Sequence, residues 1–144
     1  MKYFKLTIFF ILLMSLMTFD LNSVLACRCA QPESLRDYYD RATAVFIGEV
    51  IEIGDKEPGD VFHFRKVKIK VEKWWKGGNS KEITILDTES TCSPRFEKGK
   101  KWLVYAIGKS LTTNVCDGTL NLESAEEHLK VLGEGKKPSS KPVE

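Results

Sequence analysis

Four cysteines constrain this chain more than any other feature: Cys27 and Cys29 stand one residue apart, and Cys92 and Cys116 lie far downstream. The first pair follows Lys2 and Lys5, an apolar run over residues 7–17, and Val24-Leu25-Ala26. That order of charge, apolar stretch and small residues predicts a secretory signal peptide over residues 1–26, cleaved so that Cys27 opens the mature chain. The run is shorter than the roughly 20 residues a membrane-spanning helix needs, and Asp20 interrupts any extension. The expected location is secreted and extracellular, where an even number of cysteines pairs.

A bond between Cys27 and Cys29 across one residue is strained, so each is expected to reach a distant partner. The spacing leaves open which of them takes Cys92 and which takes Cys116. A closed loop of about 65 residues is worth roughly 4 kcal/mol, with an overlapping second bridge adding less. Two rival uses of the thiols fit less well. A zinc cluster normally pairs its ligands with two to four residues between them, whereas one residue separates Cys27 from Cys29. Val24-Leu25-Ala26-Cys27 also approximates a lipid-attachment signal, which would place the chain at a membrane but orphan one other cysteine.

The downstream sequence reads mainly as strands. Residues 44–53 are rich in β-formers, with Gly48 at a possible bend or bulge. Over residues 61–75, Val67, Ile69 and Val71 alternate with Lys66, Lys68 and Lys70, the pattern of a half-buried antiparallel strand. The lysine row reads as a solvated face, with Glu49, Glu52 and Glu72 as cross-strand neighbours. Residues 82–86, 101–107 and 111–114 complete five strands, separated by turns that include 54–59, 76–79 and 97–100. Short helices are predicted over residues 32–41 and 124–132, the second with Ser124 as N-cap, Glu127 three residues on and Gly133 as its stop. Five strands at this spacing with two flanking helices predict a small OB-like barrel whose N-terminus is stapled by disulfides. The organisation expected is a leader over 1–26, one domain over 27–133 and a disordered basic tail over 134–144.

Little in the chain points to catalysis. His63 and His128 stand apart from any second ligand or nucleophile and read as surface residues, and no metalloprotease, phosphate-loop or nucleophile-elbow motif occurs. Asp87, Glu89 and Asp117 offer a weak acid/base pairing, and Trp74-Trp75 reads as core and barrel-end cover rather than a ligand platform. The 22 basic and 20 acidic residues nearly balance, which gives no footprint for nucleic acid. The expectation is a non-enzymatic, monomeric protein without a cofactor and without a metal of its own.

Cys27-x-Cys29, Pro32, the 44–50 strand, Val71-Glu72-Lys73-Trp74-Trp75-Lys76-Gly77, Cys92, Trp102-Leu103-Val104-Tyr105 and Cys116 carry a family resemblance. Together they resemble the amino-terminal, netrin-like domain of the tissue inhibitors of metalloproteinases, in the short bacterial form, across residues 27–118. The resemblance implies Cys27–Cys92 and Cys29–Cys116 disulfides and a zinc metalloprotease as partner. It also implies that the Cys27 amine and carbonyl chelate the target's zinc, that Arg28 enters the target's specificity pocket, and that Cys29, Ala30, Gln31 and Pro32 complete the inhibitory edge. A small polar residue stands in the animal inhibitors where this chain has Arg28, so an acidic or wide pocket is implied. By that resemblance, the third disulfide and carboxy-terminal domain of the animal inhibitors are not expected here. A netrin-like extracellular binding module without protease inhibition is the alternative.

Overall fold

The computed structural model describes residues 27–30, 32–57, 63–88 and 90–139. The expected leader, Gln31, Glu89, part of the 54–59 turn and residues 140–144 lie outside the described residues. The chain is mainly β. Strands β1 (Ala44–Glu57), β2 (Phe64–Lys76), β3 (Glu82–Thr88), β4 (Lys101–Ala106), β5 (Thr112–Thr113) and β6 (Leu120–Asn121) form one sheet in the order β5-β3-β2-β1-β4-β6. Helices α1 (Leu35–Arg41) and α2 (Glu126–Leu132) flank it, and the sheet curls into a half-barrel.

The curl has a local cause in β1. The β1–β2 register shifts four times, once between Ile47 and Gly48. At Gly48 a side chain would meet Ile69 Cγ2 and the Lys70 carbonyl oxygen at 2.5 Å, so only glycine lets the strands cross this closely. β1 also continues past Gly54, where a turn is predicted from sequence. After the last register shift Lys56 pairs with Arg65 and Glu57 with Phe64, so strand pairing overrides the turn propensity of that glycine.

Burial divides into two layers. Phe46, Val50, Val67, Ile69, Trp74, Ile85, Phe96, Trp102 and Val104 fill the inside of the curl. Val45, Ile47, Leu103 and Tyr105 face the other way, against Tyr38, Tyr39, Leu120 and Leu129. β1 and β4 are therefore covered on both faces, which is why residues 44–47 and 102–106 are apolar without alternation. β2 and β3 keep one wet face, where Lys68 pairs with Glu82 at 2.8 Å and Lys101 of β4 reaches Glu72 at 2.7 Å.

Three local expectations are revised. Ser124 does not cap α2: it ends a 3-10 turn, Leu122–Ser124, whose start is held by the Asn121 side chain accepting from the Glu123 N–H at 3.0 Å. Fully buried Ala125 occupies the N-cap position instead, because its methyl group packs into the layer beneath the helix. The predicted disorder from residue 134 does not describe residues 134–139. β3 pairs with β2 only as far as Lys70, and Lys136 takes the open edge beyond by exchanging backbone hydrogen bonds with Trp74 at 2.8 and 2.7 Å. The Ser139 N–H then donates to the Asn79 carbonyl at 2.7 Å. Finally, β6 is a sixth strand that sequence reading does not find, since two residues carry no periodicity.

Candidate functional site

Two loops leave the same end of the sheet and carry the downstream cysteines. The first follows β3. Within it the Ser93 N–H donates to the Ser90 carbonyl at 3.1 Å, the Ser90 N–H to Ser93 Oγ at 3.0 Å, and the Cys92 N–H to Ser90 Oγ at 3.2 Å. Ser93 Oγ also donates to the Thr88 carbonyl. Both serine hydroxyls are thus committed to shaping the turn that presents Cys92.

The second loop is the 3-10 turn Val115–Asp117. Asn114 Oδ1 accepts from the Cys116 N–H at 2.7 Å, and Asp117 Oδ2 accepts from the Asn114 N–H at 3.0 Å, a reciprocal cap that fixes Cys116. Gly118 ends the turn at φ +92°, with its α-carbon so close to Tyr38 that a side chain would lie 2.8 Å from the ring. Helix α1 therefore backs the turn directly. Its own start is held by Asp37, whose carboxylate accepts from the Ser34 N–H at 2.8 Å and the Ser34 hydroxyl at 3.0 Å; these bonds hold the Asp37 carboxyl below its ordinary range. The Val115 N–H donates to the Cys92 carbonyl at 2.9 Å and ties the two loops together.

The segment 27–30 lies across this joined pair of loops. Cys27 is bonded to Cys92 and Cys29 to Cys116. The two bridges touch: Cys27 Sγ lies 3.4 Å from Cys116 Sγ and 4.0 Å from Cys29 Sγ. Both cysteines are half-buried, while Arg28 and Ala30 are exposed and Pro32 is half-buried. Bonding of Cys27 Sγ to Cys92 is incompatible with a thioether-linked lipid on that sulfur. Among the described residues no helix is long and apolar enough to cross a membrane.

Two hollows border the Cys92 loop. One, of about 370 Å³, is lined by Thr88, Ser90, Cys92, Asn114 and Cys116. The other, of about 360 Å³, is lined by Lys56, Arg65, Ser90, Thr91, Ser93, Pro94 and Arg95, and so carries three cationic side chains. Arg65 Nη2 meets the fully buried Asp87 Oδ2 at 3.0 Å. Burial pushes the Asp117 carboxyl above its ordinary range, against the opposing effects of the Asn114 N–H and the Arg41 charge.

The carboxylates singled out from sequence do not converge as an acid/base pair: Asp87 is committed to Arg65 and Asp117 to its turn, with Glu89 outside the described residues. Trp74 is core, with Nε1 donating to the Ser80 carbonyl at 2.8 Å, and Trp75 Nε1 donates to the Gly133 carbonyl at 3.0 Å. His63 is exposed, but His128 is not the surface residue the sequence suggests. It is half-buried, its Nδ1 lies 3.0 Å from the Tyr105 hydroxyl, and its ring stacks on Tyr38 at 5.5 Å. Burial lowers its proton affinity, and burial raises the Tyr105 hydroxyl well above the usual phenol range.

Sequence reading misses two contributors to this end of the molecule. Val115, 39% exposed, is an apolar side chain presented beside Cys116. Arg95, exposed two residues after Ser93, joins Lys56 and Arg65 only through folding. Neither has a local signal, because each depends on which loop lies next to which. No family model matches the chain, and no curated protein matches it.

Proposed function

We propose that the mature chain is a secreted inhibitor of a zinc metalloprotease, acting through its first residues. The observation that carries this reading is the double anchoring of segment 27–30: both cysteines are bonded to loops that are themselves hydrogen-bonded together, while Arg28 and Ala30 stay exposed. Cleavage after Ala26 would give Cys27 a free α-amine, which titrates near neutrality and serves as a ligand when neutral. The amine and the Cys27 carbonyl oxygen together form a bidentate chelate for a zinc that keeps one position open for water. Occupying that position displaces the water the protease needs for attack on its peptide substrate. The bridges fix the wedge before binding, which lowers the ordering cost of association.

In this reading Arg28 enters the pocket beside the target's zinc, Cys29, Ala30, Gln31 and Pro32 extend the edge, and the target's pocket is acidic or wide. A guanidinium desolvated without an acidic partner is too costly otherwise. The five-stranded OB-like description of the fold belongs to the same proposal. It is supported by Ile107 and Thr112, which exchange backbone hydrogen bonds at 2.8 and 3.0 Å and bring the end of β4 to β5, already paired with β3.

The test compares the chain beginning at Cys27 with a form carrying one extra alanine before it, against a panel of zinc endopeptidases. Inhibition by the first and its loss in the second, with unchanged circular dichroism, is expected; equal potency refutes the chelation mechanism. The charge of Arg28 also favours a second reading, an extracellular binding module that recognises an acidic partner without touching a metal. Absence of inhibition across the panel, with saturable binding to an extracellular protein that Arg28→Ala weakens, selects that reading.

A further inference from the structure

The two bridges touch rather than standing as separate staples, and three of the four cysteine sulfurs form one mutual cluster. Cys27, Cys92 and Cys116 place their sulfurs within 4.8 Å of one another, and Cys29 Sγ lies 4.0 Å from Cys27 Sγ. In a tetrahedral zinc–thiolate site with bonds of about 2.3 Å, neighbouring sulfurs stand about 3.8 Å apart. Two of the contacts between the bridges, those of Cys27 Sγ at 3.4 and 4.0 Å, bracket that edge. We propose that reduction of both disulfides converts this cluster into a four-cysteine zinc site, so that the segment 27–30 has two alternative clamps. The proposal stands whether or not the chain inhibits a protease.

The scaffold for such a site is present on the downstream side. Cys92 and Cys116 sit on loops shaped by their own hydrogen bonds, Ser90 and Ser93 in one and Asn114 and Asp117 in the other. The Val115 N–H to Cys92 carbonyl bond joins those loops without using any sulfur. Reduction therefore leaves two thiols held near each other, and Cys27-Arg28-Cys29 brings the other two on one short segment. Opening each bridge requires its sulfurs to part to the tetrahedral edge. The Cα atoms now stand 5.3 and 5.1 Å apart, and the 27–30 segment belongs to no strand of the sheet. A zinc held by four thiolates carries a net charge of −2, and Arg28, placed between two of the ligands, offsets part of it.

The redox balance is simple. Two equivalents of a dithiol reduce the two disulfides, each dithiol closing to a cyclic disulfide as two electrons and two protons pass to a cystine. One zinc ion then binds the four thiols and releases up to four protons.

The experiment uses the full mature chain, reduced with a phosphine that supplies no competing thiol, and titrated with cobalt(II) and zinc(II). The reduced chain is expected to bind one cobalt with the intense sulfur-to-metal charge-transfer bands of tetrahedral tetrathiolate, zinc displacing it one for one. The oxidised chain should bind none. Native mass spectrometry should show a monomer with one zinc and four protons fewer than the reduced apo form. Cys29→Ser and Cys92→Ser should each weaken binding by about tenfold or more, since each removes a thiolate. Affinity that is unchanged in denaturing urea means the fold does not build the site and overturns the proposal. So do a spectrum of fewer than four sulfurs, zinc shared between two chains, or absence of uptake by the reduced chain.

Discussion

The interleaving of the two bridges sets how much each contributes to stability, and the contributions are not independent. Closed alone, the 65-residue separation of Cys27 and Cys92 is worth about 4.3 kcal/mol in the chain-entropy account, and the 87-residue separation of Cys29 and Cys116 about 4.6 kcal/mol. With one bridge in place, the ends of the other are already connected by a shorter path, the two residues from 27 to 29 plus the 24 from 92 to 116. Closing that ring of about 26 residues is worth only about 3.5 kcal/mol. Replacing either pair by alanines, Cys27 with Cys92 or Cys29 with Cys116, should therefore cost about 3.5 kcal/mol. Replacing all four should cost about 8 kcal/mol, more than the sum of the single losses and comparable to the whole stability of many domains. Urea unfolding of the oxidised wild type and the two pair variants, with the four-alanine chain measured by extrapolation from trimethylamine N-oxide, reads these values. Two pair variants that differ by more than about 1.5 kcal/mol, or a four-alanine chain no less stable than either of them, would refute the shared-ring reasoning.

Two further perturbations address the frame behind the cysteines. Gly118→Ala should cost about 2–3 kcal/mol, because φ is +92° and the new methyl would press on the Tyr38 ring, while Gly99→Ala, at φ +83° with open space around it, should cost about 1 kcal/mol; equal losses in thermal or urea unfolding contradict the contact with Tyr38. His128, whose proton affinity burial lowers, binds protons more readily in the unfolded chain, so stability is full above its ordinary range near pH 6.5 and falls as pH drops below it. The urea midpoint of the wild type should decline from pH 7 to 5 more steeply than that of His128→Gln, and parallel curves refute the assignment.

The parts of the fold visible in sequence are those whose periodicity is long enough to register. The alternation of Val67, Ile69 and Val71 with lysines announces β2, and the uninterrupted apolar run at 102–106 announces a strand covered on both faces. β6, two residues long, carries no such signal and exists because β4 offers it an edge, while β5 keeps Thr112 and Thr113 of the strand expected over 111–114, held on the edge of β3. The pairing of the 134–139 segment is illegible for a related reason: its composition is that of a solvated tail, yet a backbone hydrogen bond is indifferent to side chains, and Lys136 pairs where β3 stops short. At the candidate site, residue types at 27–30 are legible, whereas Arg95, Val115 and the buried environment of His128 arise from loop and helix placement over long sequence separations. His128 in particular has charged neighbours in sequence, Glu126, Glu127 and Lys130, that suggest solvent, while the fold turns its ring onto Tyr38 and Tyr105.

The order of the bridges along the chain, first to third and second to fourth, has a consequence for how the molecule matures. Oxidation of cysteines in the order they occur would join nearest neighbours and yield neither observed bond. In the folded chain the correct partners are neighbours because β3 and β4 pair with the strands between them and the Val115–Cys92 backbone bond joins the two loops. Conformation rather than sequence proximity therefore favours this covalent pattern, and the native bridges and the native sheet support the same arrangement of loops.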